Sequence, residues 1–219
     1  MSKYRICFIK EGKAKFISHL DLMRTMQRSF IRAGLKLKHT QGFNPHPHMV
    51  FALPLSVGLE SDCELMDFEL VNDVPFCEIT EMLNKSLPEG IIIKETYTSD
   101  SKFKDIAWVK IDGHLDYDNA DTKIICEKLM EVFSKKSIII SKKTKRGFSE
   151  FDIIPNISSL AFSPDETGIR IEALIHAQEP TMNPVNIIDG ISACDNGLTP
   201  DYWTFRRREL KDKDLSTFR

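Results

Sequence analysis

Three absences narrow the chemistry open to this chain of 219 residues. Its five cysteines, Cys7, Cys63, Cys77, Cys126 and Cys194, lie no closer than 14 residues apart, so there is neither a CxxC metal pair nor a cysteine triplet for an iron-sulfur cluster. Reduced thiols packing as small hydrophobes in a reducing compartment are expected. The ten glycines are scattered, and neither GxxxxGKS/T nor GxGxxG occurs, which excludes a glycine-rich phosphate loop. No apolar run approaches the roughly 18 residues of a membrane span. The opening MSKYRICFIKEGK interleaves charge with apolar residues, unlike a secretory signal, so a cytoplasmic location is expected.

What is present is an ordinary globular composition, 42% hydrophobic and 28% charged, over a length that suits two domains of about 100 residues, each able to bury a core. The net charge of -2 hides a segregation. Residues 1–50 carry ten Lys or Arg against Glu11 and Asp21, whereas residues 58–90 carry nine acids against Lys85 alone. Local potential rather than the total steers a polyanion, so the first segment is a candidate polyanion-binding face.

Residues 4–10 alternate Tyr4, Ile6 and Phe8 against Arg5, Cys7 and Ile9, the pattern of a strand with one better-buried face. Ser18 with Asp21 three residues on predicts a capped helix start, running to Ala33 with Gly34 as the stop. Leu22, Met23, Met26, Phe30 and Ala33 share one side of that helix; Arg24, Arg28 and Arg32 repeat at i, i+4, i+8 on the other, a positive stripe about 12 Å long. Residues 41–48, QGFNPHPH, hold two prolines that fix their own φ and push Asn44 and His46 toward extended backbone, a stiff connector. Strands at 49–55, 64–71 and 91–98 around a second helix from Pro75 complete a βαββαβ order. After a polar linker at 99–105, the second half repeats the plan: a strand at 107–112, a helix from 119 to 133, a strand at 137–142, a basic turn at 142–147, a hairpin at 157–175, a helix from Pro184 and a strand from 202. The expectation is an α+β chain of two tandem ferredoxin-like domains with antiparallel sheets, 1–98 and 106–219, the second more elaborated.

Four of the six histidines fall between residues 16 and 55. His19, Asp21, His46 and His48 admit a metal reading, since His46 and His48 point the same way in an extended segment, but no pair has a recognised metal spacing. Imidazole also suits general acid-base work, yet spacing supplies no second catalytic group. The expected site is a ligand pocket of His19, Asp21, Gln41, Asn44, His46 and His48, with no cofactor and no metal. Phosphate contacts are expected from Arg5, Lys13, Lys15, Arg24, Arg28 and Arg32, and from Lys142, Lys143, Lys145 and Arg146. Arg206–Arg208 is a further basic run.

The words FISHLDLMRTMQRSFIRAGL, QGFNPHP and FALPLSVGLES, in that order, resemble a bacterial radical-SAM-associated domain of unknown function, found alone or joined to the C-terminal side of radical SAM proteins. His19, Asp21, Gly42, Asn44, Pro45, His46 and Pro47 sit on those words. The resemblance implies an accessory role beside a radical SAM partner and supplies no catalytic assignment; the basic elements make RNA or a ribonucleoprotein the expected substrate presented to that partner. Tandem ferredoxin-like domains are also similar in architecture to CRISPR repeat-processing endonucleases, which makes a histidine-dependent or metal-assisted ribonuclease the competing expectation; the glycine-rich C-terminal loop expected of those nucleases is missing. A protein-only interaction module using the acidic 58–90 region is the third.

Overall fold

The computed structural model describes residues 3–118, 120–144 and 147–219. It is α+β, with four α-helices among the described residues and mostly antiparallel sheet, and it divides into two compact units, residues 1–103 with 219, and residues 104–218. Asn119, where the sequence pattern begins the third helix, lies outside the described residues.

In the first unit, β1 (Lys3–Lys10), α1 (His19–Arg32), β2 (Met49–Phe51), β3 (Glu60–Glu69), α2 (Phe76–Asn84) and β4 (Ile91–Tyr97) follow one another along the chain. The strands lie side by side in the order β4-β1-β3-β2, each pairing antiparallel. One sheet face carries Tyr4, Ile6, Phe8, Met66, Phe68, Ile91 and Ile93, and against it pack Leu22, Met26 and Phe30 of α1 and Ile79 and Leu83 of α2. Phe68 sits between Tyr4, stacked at 5.4 Å, and Phe30, edge-on at 4.8 Å. Aromatic pairs of this kind add about 1 kcal/mol each beyond the area they bury.

Helix α1 starts as its caps dictate. The Ser18 hydroxyl accepts from the Asp21 amide at 3.1 Å and donates to the Asp21 carboxylate at 2.7 Å, and Gly34 leaves the helix at φ 73°. Ser29, absent from the wheel's apolar arc, is fully buried because its hydroxyl donates to the Thr25 carbonyl. Strand β2 is shorter than the apolar run 49–55 suggests, since Leu53 adopts φ 41° before Pro54 and turns the chain out of the ladder.

The second unit contains β5 (Trp108–Asp116), α3 (Thr122–Phe133), β6 (Ile139–Thr144), β7 (Gly147–Asp152), β8 (Ile157–Pro164), β9 (Gly168–His176), α4 (Val185–Cys194) and β10 (Tyr202–Lys211). Here β10-β5-β9-β8 run antiparallel over a core that includes Ile111, Leu115, Ile171, Ile175, Leu129 and Ile187. Strands β6 and β7 form a separate two-stranded ribbon. No helix among the described residues is long and apolar enough to cross a membrane.

Candidate functional site

The charge segregation of the sequence is partly cancelled by folding, because β1 and the residues around α1 bring Lys3, Arg5, Lys15 and Lys38 to acids of β3. Asp67 receives Lys3 at 3.0 Å and Arg5 at 2.6 Å; Glu60 receives Lys15 at 3.5 Å; Glu69 receives Lys38 at 3.0 Å. Lys38 holds the Glu69 carboxyl below its usual range, outweighing the partial burial that opposes it.

Arg5 therefore leaves the set of phosphate-binding residues expected from sequence. It is 1% exposed, its guanidinium grips Asp67 through two nitrogens and also donates to the Ser99 and Ser101 hydroxyls, and the Phe103 ring lies 4.4 Å from its centre. Lys10 is buried as well. Lys15 is half-buried in its pair with Glu60, whereas Lys13 is exposed.

What remains on the surface of α1 is the arginine row. Arg24, Arg28 and Arg32 are all exposed and succeed one another a turn apart. They are not equivalent. Arg24 reaches Asp21 at 3.3 Å, and that carboxyl is held below its usual range first by the Ser18 hydroxyl and then by Arg24. Arg32 donates to Ser29 Oγ at 2.9 Å and to the Ser86 carbonyl at 2.6 Å, which anchors its guanidinium beside the end of α2. Arg28 has no side-chain partner among the described residues, so it is the arginine whose donors all face water.

The connector after α1 is a braced hairpin. Residues 36–38 pair with the end of β3, through the Lys38 amide to the Glu69 carbonyl, the Val71 amide to the Lys36 carbonyl and a bridge between Leu37 and Leu70. The chain then returns on itself: His39 bridges Pro47, the Thr40 amide donates to the His46 carbonyl at 2.9 Å, and the His48 amide to the Lys38 carbonyl at 2.8 Å. Gln41 to Asn44 form the exposed tip, where Gly42 at φ 134° permits the turn and Phe43 projects fully into solvent.

Each histidine of the region is held locally. His46 Nδ1 lies 3.2 Å from both the Asn44 carbonyl and Thr40 Oγ1; since a carbonyl only accepts, this assigns the neutral ring's proton to Nδ1 and leaves the Nε2 lone pair for a ligand's N–H or O–H. His48 Nδ1 lies 3.5 Å from Glu69. His19, the first residue of α1, meets Phe51 of β2 edge-on at 5.3 Å. Among the described residues no group of three His, Cys, Asp or Glu side chains is arranged to hold a metal ion. The region offers anchored cations and oriented hydrogen-bonding groups.

In the second unit, Lys142 is half-buried and its Nζ donates to the Thr181 carbonyl at 2.6 Å; loss of solvation draws its ammonium below the usual lysine range. Lys143 is exposed. Lys145 and Arg146 lie outside the described residues. Of the run 206–208, Arg208 pairs with Asp112 at 2.7 Å. Sequence reasoning passed over Thr40 and Phe43. Nothing in the sequence marks Thr40, whose partner is set by how the two arms of the hairpin meet; the signal for Phe43 is an aromatic among turn formers, Gly42 before it and Asn44-Pro45 after, where no core can claim it.

These features define an α+β protein of two units whose first presents a basic helix beside a braced polar loop. The chain belongs to a bacterial family described as "Uncharacterized protein conserved in bacteria (DUF2344)", whose profile matches residues 3–184. No curated protein matches the chain. Among solved structures, an unknown protein from Galdieria sulphuraria aligns over 94% of this chain and 97% of its own at 10% identity, with a TM-score of 0.27.

Proposed function

We propose that the chain is an RNA-binding accessory protein without a reaction of its own, presenting an RNA or ribonucleoprotein substrate to a radical SAM enzyme. The observation that carries the RNA reading is the α1 arginine row, which stays exposed after folding has paired the cations of β1 and of Lys38 with the acids of β3. Arg24, Arg28 and Arg32 take successive phosphates; the 41–48 loop, with the His46 Nε2 and the tip residues, contacts bases or sugar. The radical SAM partner rests on the resemblance of the FISHLD and GFNPHP words. The succession β-α-β-β-α-β and the order β4-β1-β3-β2, matched by β10-β5-β9-β8, support reading each unit as a ferredoxin-like domain, the second with the β6–β7 ribbon inserted.

The test is a salt series of RNA binding by the parent and by an Arg24/Arg28/Arg32 triple alanine variant. Single-stranded RNA loses about 0.7 in the slope of log affinity against log salt per phosphate contact, so the triple variant flattens the slope by about 2. Equal affinity and slope in the two proteins reject the reading. RNA cleavage by the parent that disappears in His19→Ala or His46→Ala would replace it with the ribonuclease. Capture of a radical SAM protein on the native chain tests the partner separately.

A further inference from the structure

The ribbon of β6 and β7 has two unlike faces. Its register sets Ile140 opposite Phe151 and Lys142 opposite Ser149 on one side, and Ser141 opposite Glu150 and Lys143 opposite Phe148 on the other. The first side is turned inward: Ile140 is buried, and Lys142 lies 4.4 Å over the Phe151 ring while its ammonium is tied to Thr181. The root is pinned by the Asp152 carboxylate, which accepts from the Ile138 and Ile154 amides at 3.0 and 3.2 Å. The second side faces water. Phe148 is 76% exposed with no ring partner among the described residues, and Lys143 beside it is exposed and makes no ion pair there.

Directly opposed side chains on a ladder stand about 5 Å apart at Cβ, so the ring and the ammonium form one small surface. An aromatic ring kept in water on a ribbon already pinned by its other face adds nothing to the core. A flat π-face beside a cation is the pairing that single-stranded nucleic acids use, base on ring and flanking phosphate on ammonium. The turn of the ribbon is basic in sequence, residues 142–147 holding four cations and no acid, while Glu150 lies on the same outer face opposite Ser141.

We propose that the outer face of the β6–β7 ribbon is a stacking site for single-stranded RNA, Phe148 taking one unpaired base and Lys143 the adjoining phosphate. The inference rests on the RNA-binding reading above and names what that reading leaves open, which is the strandedness of the RNA. A duplex hides its base faces, so Phe148 discriminates against it, whereas Lys143 serves either form.

The experiment compares the full-length parent, Phe148→Ala, Phe148→Trp and Lys143→Ala by fluorescence anisotropy with a labelled uridine-rich 12-mer and a duplex RNA of equal length at one salt concentration. Phe148→Ala should bind the single strand about ten-fold more weakly with the duplex unchanged, Phe148→Trp should retain the parent affinity, and Lys143→Ala should weaken both. An unaltered thermal midpoint in Phe148→Ala verifies that the ribbon is intact. Equal single-strand affinity in parent and Phe148→Ala, or equal losses on strand and duplex, overturns the stacking site; if the triple arginine variant still loses affinity, the RNA reading survives that result. A Phe148 effect with no effect of the arginines leaves the ribbon site standing and moves the RNA away from α1. A parent that binds neither RNA, including one that captures only an acidic protein, removes both proposals.

Discussion

Arg5 brings a full charge to a position closed to solvent and is held there by Asp67, itself 6% exposed. Removing Arg5 leaves the buried Asp67 with the exposed Lys3 as its remaining cation, so Arg5→Ala should lower unfolding free energy by about 3 kcal/mol, read as a fall in the urea midpoint at constant m-value. Arg5→Lys should recover only part, because an ammonium cannot span both carboxylate oxygens. A midpoint unmoved by Arg5→Ala would mean that water reaches Asp67. The alternation of residues 4–10 told which side of β1 faces the helices, but not that the other side is covered as well. Its cover comes from Ser99, Ser101 and Phe103, in a stretch whose polar composition reads as a linker. A short polar segment gives no periodic sign of lying on a sheet, and the arginine it buries looks in sequence like any surface cation.

Elements with chemical end markers were the legible ones. Helix α1 begins at the residue its capping chemistry predicts, and the cap carries a measurable share of its stability: Ser18→Ala should cost about 1 kcal/mol by stranding the Asp21 amide, with Ser18→Asp recovering most of it in thermal unfolding. Loss of the cap should also speed hydrogen exchange in the first turn, around Leu22, before the last turn near Phe30 responds. Strand β2 and the ribbon were harder to read. The run 49–55 is apolar throughout, and only the left-handed Leu53 ends the pairing early. The ribbon follows the usual strand alternation, yet periodicity cannot say that β6 and β7 pair with each other alone. For the loop, the prolines marked a non-helical connector, while the cross-bonds from Thr40 to His46 depend on how two arms meet and carry no sequence mark.

At the scale of the first unit, four cations of the basic stretch and three acids of the acidic one tie β1, the α1 region and β3 together. That makes the fold sensitive to acid in a defined direction. Glu69 is held below its usual pKa by Lys38, so its contribution is complete above the ordinary glutamate range and is lost as pH falls through its lowered value. The urea midpoint should fall as pH drops below the ordinary glutamate range, and Lys38→Met, which removes the cause of the lowering, should flatten that descent. An undiminished pH dependence in Lys38→Met would assign the effect to other carboxylates. The internal pairing also governs how a polyanion arrives. With a net charge of -2 and most of the cations of β1 already matched, attraction to the remaining arginines is confined to roughly one screening length, about 8 Å at physiological ionic strength. On the RNA-binding proposal, encounters with RNA are then unguided, at the ordinary rate for docking two patches, and discrimination lies in how long a complex lasts; raising salt should shorten residence far more than it slows capture.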